Sequence, residues 1–325
     1  MAINPEYGRQ DPERSYRQGD TVGSYRLLKQ IASQAEEQVF IADDQRGNRK
    51  VTLRLISTRK TSFNDETDQA VKTAELLAEL KSPNIMAVYE IGEVPGYRFI
   101  AMEYLEGLTL RQVMLSGDLS ILGTLEISSQ ICNGLRQAHA NDIFFTDLNP
   151  DNVVVTGDKT VKMISQGVAG PDDDRDQLPM SQRLQDLAYF PPEQLEAREI
   201  DARSNVFTVG VILYEMITGR RPFGGGVNEI KNAIKGSGPE RPSQINPDCG
   251  PELERVILRM LEKNPARRYP QAGDVVIELD RIKAALPPAF AKPIKRKDPW
   301  NRVVLVAVII LVIISIINFI LQYLK

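Results

Sequence analysis

The sequence predicts an α+β chain of two lobes, a small strand-rich N-lobe and a large helical C-lobe, followed by one C-terminal transmembrane helix. Three observations carry this. Residues 23–105 alternate apolar and polar side chains in short runs, the period of half-buried strands. Residues 106–286 change to the spacing of amphipathic helices. Residues 303–324 contain no charge at all.

The bulk composition narrows the function. A chain of 325 residues, 42% apolar and 26% charged, can bury one large core or two lobes sharing a cleft. Its net charge of −3 offers no basic excess, and no nucleic-acid partner is expected. Cys132 and Cys249 lack metal-ligand spacing and cannot make a disulfide framework, so they read as two thiols in a reducing compartment. His139 is the single histidine, which excludes any mechanism needing a histidine pair. Near the end of a predicted helix, "GLRQAHAND", it reads as a packing or capping residue.

Taken in order, residues 1–22 are polar and rich in Arg, Asp and Gly, and are expected to form a flexible tail without a signal peptide. In the N-lobe, 23–105, "YRLLKQI", "EQVFIADD", "KVTLRLIS" and "YRFIAMEY" read as strands, with one helix over about Glu66 to Leu80. In the C-lobe, 106–286, "LGTLEISSQICNGLRQAHA", "NVFTVGVILYEMITG" and "PELERVILRMLEK" read as helices. Residues 287–302 form a basic linker punctuated by Pro287, Pro288, Pro293 and Pro299. The 22 residues from Val303 to Leu324 would span roughly 33 Å as a helix, enough for a hydrocarbon core of about 30 Å. Lys292, Lys295, Arg296, Lys297 and Arg302 precede this segment, so the positive-inside rule leaves the two-lobed part in the cytoplasm as a single-pass, C-terminally anchored protein.

Several motifs in this order resemble the protein kinase domain over about residues 24–284. "ARSNVFTVGVILYEMITGRRPF" is similar to the helix that anchors the large kinase lobe, "YFPPEQL" stands where Ala-Pro-Glu occurs, and "EKNPARRYPQAGDVV" stands where the terminal arginine motif occurs. The resemblance implies a buried ion pair between Glu193 and Arg268. "FIAMEYLEG" resembles the hinge, with Met102 as gatekeeper and Glu103, Tyr104 and Leu105 presenting backbone groups where adenine would sit. The arrangement resembles bacterial membrane-bound Ser/Thr kinases, in which a transmembrane helix follows the catalytic domain.

Within that resemblance the site departs from the family at several positions. "DLNPDN" places Asp147 where the catalytic base stands and Asn152 where a metal ligand stands, but Phe145 and Thr146 replace the His and Arg before them. Asn149 replaces the lysine that steadies the transferring phosphoryl group, and Asp186 replaces a Thr that orients the base. Asp147 and Asn152 are therefore expected to survive as vestigial braces of a tight turn.

The phosphate-covering loop reads "IASQAEEQVF", with Ala32, Gln34 and Glu37 in place of three glycines. Its glutamates face a triphosphate or point into solvent from a hairpin tip. A like-charge contact at about 5 Å would cost roughly 3 kcal/mol. "VTLR" puts Arg54 where a lysine is usual, and the two cations are not interchangeable at a tight phosphate site. Arg54 reads either as a weak nucleotide contact or as one half of a structural ion pair. Thr73 takes the place of the helix glutamate, with Glu75 and Glu79 on the solvent side. Ser165-Gln166-Gly167 stands for Asp-Phe-Gly, and a hydroxyl is a poor magnesium ligand. The run Asp172, Asp173, Asp174 and Asp176 reads as a solvated loop rather than a substitute metal site. Between Gly167 and Pro191 stand Ser181 and no Thr, so the phosphorylation switch of kinases is not expected.

The sequence is thus expected to encode a membrane-anchored pseudokinase that binds other cytoplasmic or membrane proteins as a scaffold or regulator. The alternatives are an atypical active Ser/Thr kinase transferring the ATP γ-phosphate to protein, and a non-catalytic nucleotide sensor using the hinge. ATP binding is expected to be weak, and no bound magnesium is expected.

Overall fold

The structure, a computed structural model, describes residues 15–33, 37–58, 65–117, 119–165, 168–169, 186–236, 238–287 and 290. Its N-lobe contains β1 (Thr21–Val22), β2 (Tyr25–Ser33), β3 (Glu37–Asp44), β4 (Arg49–Ser57), α1 (Asp65–Ala78), β5 (Val88–Val94) and β6 (Tyr97–Glu103). The strands form one antiparallel sheet in the order β1-β2-β3-β4-β6-β5. All four sequence-predicted strands are present, as β2, β3, β4 and β6. Alternation along β4 sends Val51, Leu53 and Leu55 into a core with Tyr25, Leu27, Phe40 and Phe99. On the opposite face Ile56 and Ile100 pack against Ala70 and Ala74 of α1. As expected from the helical wheel, Thr73 is buried among the apolar positions of α1, while Glu75 and Glu79 are exposed.

Two features of this lobe leave no periodic pattern in the sequence. β5 turns into β6 through Pro95-Gly96, where Gly96 has φ 79°. As an edge strand it buries no complete face and shows no clean alternation. Of the expected tail 1–22, residues 15–22 are described. Tyr16 is buried edge-on against the Tyr97 ring at 5.2 Å, and Thr21–Val22 pairs with β2.

The C-lobe contains β7 (Gly107–Thr109), α2 (Leu110–Ser116), α3 (Ile121–His139), β8 (Phe144–Phe145), β9 (Val153–Thr156), β10 (Val161–Met163), β11 (Val168–Ala169), α4 (Pro192–Leu195), α5 (Ala202–Thr218), α6 (Val227–Lys235), α7 (Pro242–Ile245), α8 (Pro251–Met260) and α9 (Ala272–Ala285). The purely helical period expected over 106–286 overlooks β7 to β11. These strands run two to four residues, too short to display a period; β9 and β10 form a local hairpin, while β9-β7 and β11-β8 pair segments farther apart along the chain. The predicted transmembrane segment 303–324 lies outside the described residues, and among those described no helix is long and apolar enough to cross a membrane.

α5 is the axis of this lobe. Asp201 caps it by accepting from the Arg203 N–H at 2.8 Å, and Gly219 ends it at φ 75°. Every residue from Ser204 to Ile217 is buried, as in a helix surrounded by protein on all sides. Gly210 permits α8 to approach, because a Cβ there would lie 2.8 Å from that of Met260.

The ion pair implied by the family resemblance is formed. Arg268 donates Nη1–H to Glu193 Oε1 at 2.6 Å and Nη2–H to Oε2 at 2.9 Å, and its side chain is fully buried. Its remaining donors reach the carbonyls of Glu262, Arg203 and Lys263 at 2.7, 3.0 and 3.1 Å. All five N–H groups are therefore satisfied. Ser204 donates a further hydrogen bond to Glu193.

α5 also positions the stretch that carries Asp147. Asn205 accepts from the Phe145 N–H at 3.0 Å and donates to the Phe145 carbonyl at 2.6 Å. This orients its amide so that Oδ1 faces His139 Nε2 at 3.0 Å, which makes Nε2–H the donor of a neutral imidazole. Among the described residues, His139 Nδ1 is buried without a hydrogen-bond partner. The histidine therefore buttresses the loop from the end of α3 and packs its ring 5.4 Å from Phe144. Burial lowers its pKa, against the raising effect of Asn205 and Asp201.

Truncating Arg268→Ala strands the buried Glu193 carboxylate, and urea unfolding is expected to register a loss of about 3–5 kcal/mol. Below about pH 6.5 an unfolded chain protonates a histidine that the folded chain keeps neutral. Stability is therefore complete above that pH and falls as pH drops through the lowered folded pKa of His139. In pH-dependent thermal unfolding this step is expected to be smaller in His139→Gln.

Candidate functional site

In the N-lobe sheet β3 lies between β2 and β4. Glu37, the first residue of β3, lies two positions before Val39, the register partner of Arg54 on β4. That diagonal offset brings the two side chains together. Arg54 donates Nη2–H to Glu37 Oε2 at 2.7 Å, and its Nε lies 2.7 Å from Oε1. Their side chains are only 14% and 24% exposed, so the pair is shielded from bulk water. Of the two alternatives for Arg54, the ion pair is the one observed. Glu37 neither faces outward alone nor stands free to meet an anion. The signal for this contact was the opposite charge of residues at a diagonal strand position, legible only once the register is known. Gln34 and Glu36 lie outside the described residues.

At the hinge, Met102 lies opposite Thr52 on β4 and Val88 on β5, and packs half-buried against the cluster that includes Ile56 and Ala74. The Glu103 N–H donates to the Ala87 carbonyl at 2.8 Å. Its carboxylate accepts from the Ala87 N–H at 3.1 Å and from Lys162 Nζ, on β10, at 2.8 Å. Glu103 therefore ties the two lobes together, a role the sequence did not suggest. Tyr104 and Leu105 follow half-buried, with Lys50 Nζ lying 6.0 Å from the Tyr104 ring centroid.

Asp147 and Asn152 are brought together by a 3-10 turn over Pro150–Asn152. Asn149 caps this turn, accepting from the N–H groups of Asp151 at 2.8 Å and Asn152 at 3.2 Å. Its amide donates to Asp186 at 3.0 Å and to the Asp147 carbonyl at 3.2 Å. The side chain is buried, so this position supplies a cap rather than a mobile cation. Asn152 donates to the Asp147 carbonyl at 2.9 Å and to its carboxylate at 3.3 Å. Ser165 donates its hydroxyl to the other Asp147 oxygen at 2.6 Å.

The family resemblance implies magnesium bound with ATP, and the donor set is a poor match. Asp147 contributes one carboxylate, already accepting from Ser165 and Asn152; the other two donors are a hydroxyl and an amide. A hard divalent cation is held by carboxylates and carbonyl oxygens against the repulsion of the phosphates. The acidic run Asp172 to Asp176 lies outside the described residues. Arg54 and Lys162 are both held by carboxylates, Glu37 and Glu103.

Comparison with known proteins places this geometry in context. The family model described as the protein kinase domain matches residues 25–275. The serine/threonine-protein kinase PrkC of Bacillus subtilis is 28% identical over 260 residues, covering 79% of this chain and 40% of that protein. The serine/threonine-protein kinase PknB of Mycobacterium leprae is 30% identical over 272 residues, covering 80% of this chain and 43% of that protein. The chain thus spans about two fifths of the length of these relatives. The kinase domain of Mycobacterium tuberculosis PknI superposes with a TM-score of 0.65 at 22% identity, covering 84% of this chain and all of that one. At this identity the superposition establishes the fold.

A double-mutant cycle with Arg54→Gln and Glu37→Gln is expected to return a coupling of about 1–2 kcal/mol in thermal or urea unfolding, since the charges touch directly in a shielded setting. A coupling near zero contradicts the shielded ion pair.

Proposed function

Because the chain belongs to the protein kinase domain family, we propose that it is a pseudokinase, tethered to the membrane by residues 303–324, that binds partner proteins at the cytoplasmic face. The observation that carries this reading is the carboxylate of Asp147. It is held by the Ser165 hydroxyl, from the position where the family places a metal-binding aspartate. The Arg54–Glu37 pair supports it, because the cation nearest the lost phosphate loop is already neutralised. Loss of one preorganised electrostatic stabiliser costs about 3–4 kcal/mol of transition-state energy. Here the glycines, the lysine, the helix glutamate, the metal-binding aspartate and the loop lysine are all replaced.

A second reading, an atypical Ser/Thr kinase, is favoured by the retained Asp147 and Asn152 and by relatives named as serine/threonine kinases. Membrane attachment rests on the uncharged 22-residue segment and the basic residues before it. It is tested by fractionating cells that express the chain with and without residues 303–325. The shortened chain is expected in the soluble fraction, and its retention with the membrane argues against the anchor.

Purified protein incubated with magnesium and γ-labelled ATP is expected to incorporate no more label than an Asp147→Asn variant. Incorporation that the variant abolishes would falsify the pseudokinase reading and establish the second one.

A further inference from the structure

Glu37 opens β3, and its neighbour Gln38 is gripped by a segment from far upstream. The Gln38 side-chain amide accepts from the Tyr16 N–H at 3.2 Å and donates Nε2–H to the Tyr16 carbonyl at 3.0 Å. Tyr16 is itself seated in the core that contains Phe40, Leu55 and Tyr97. Behind it, the Gly19 N–H donates to the Leu27 carbonyl and the Leu27 N–H to the Asp20 carbonyl, both at 2.9 Å. Thr21–Val22 then pairs with β2. Residues 15–22 thus form a strap whose far end holds the start of β3.

The position of that grip matters for Glu37. Pairing between β2 and β3 begins at Gln38, opposite Ser33, so on the sheet Glu37 is matched only to Ile56 of β4. Alternation sends Gln38 to the face of Phe40 and Glu37 to the face of Val39, from which it reaches Arg54. Both Glu37 oxygens lie 2.7 Å from guanidinium nitrogens, Oε2 from Nη2 and Oε1 from Nε. A phosphate offers paired oxygens to an arginine in the same way.

We propose that Glu37 is an autoinhibitory stand-in for a phosphate-class anion on Arg54, and that the strap keeps it there through Gln38. The idea deepens the pseudokinase reading, and rests on it for the statement that the intact cleft holds no triphosphate. Arg54 is only 14% exposed, and a cation so shielded is costly without an anionic partner. Removing the carboxylate therefore leaves a site that draws an anion from solution. Releasing Gln38 frees the strand end that carries Glu37, and lets an outside anion compete with it.

The test titrates the full chain, in nonionic detergent and without divalent metal, with inorganic tripolyphosphate by calorimetry. Glu37→Gln is expected to bind roughly tenfold more tightly than the unsubstituted chain, the affinity equivalent of the coupling expected between the two side chains. That gain is expected to vanish in the Glu37→Gln/Arg54→Gln double variant. Gln38→Ala, which keeps both charges, is expected to gain a smaller factor. No gain in Glu37→Gln, or a gain that survives the loss of Arg54, overturns the proposal. A gain in Glu37→Gln with none in Gln38→Ala overturns the part assigned to the strap. If Glu37→Gln does not fold, Gln38→Ala with and without Arg54→Gln decides by the same titration. Neither metal nor phosphoryl transfer enters this measurement, so its failure is distinct from a failure of the pseudokinase reading, which the labelled-ATP experiment judges.

Discussion

The buried guanidinium of Arg268 is the constraint on which the large lobe depends. Removing such an ion from water costs several kcal/mol unless every donor finds an acceptor. Glu193 supplies two acceptors, and the carbonyls of Arg203, Glu262 and Lys263 supply the rest. These acceptors come from α4, α5 and the segment after α8, so satisfying one side chain joins three elements distant in sequence. Fixing α5 in turn fixes Asn205, and Asn205 grips both backbone groups of Phe145, two residues before Asp147. The geometry of the loop is thus set by groups that do no chemistry. A chain can therefore change its reactive residues without losing the loop's shape.

The loop and the strands facing it use that freedom in a consistent manner. Buried polar groups must find partners. Where the family pattern supplies a cation or a metal, this chain supplies a neighbouring side chain. Asp147 takes the Ser165 hydroxyl, Arg54 takes Glu37, and Asn149 takes Asp186 together with two backbone N–H groups. Each of these contacts pairs a charged or polar group of the loop or of β4 with a side chain or backbone group of the chain itself.

Much of the fold was legible before any coordinates. α5 announced itself by the helical spacing of "NVFTVGVILYEMITG", and β4 by alternation that separated Leu53 from Arg54. Thr73 fell on the buried side of α1 by helical geometry alone. What escaped notice was small or non-local. β7 to β11 are too short to carry a period, and Tyr16 is buried only because Tyr97 lies across from it. Glu37 looked like a loop charge until the register placed it diagonally from Arg54. The Glu103–Lys162 tie joins residues 59 positions apart, with no pattern to pair them.

The sequence by itself determined the two-lobed architecture, the identities of the residues at the site and the absence of glycine from the phosphate loop. Periodicity and composition are properties of neighbouring residues along the chain. Only the tertiary structure decided which charge neutralises which, because an ion pair or a buried hydrogen bond depends on strand register and loop path. Asp147 could be named from its spacing; that Ser165 occupies its carboxylate could be learned only from the fold.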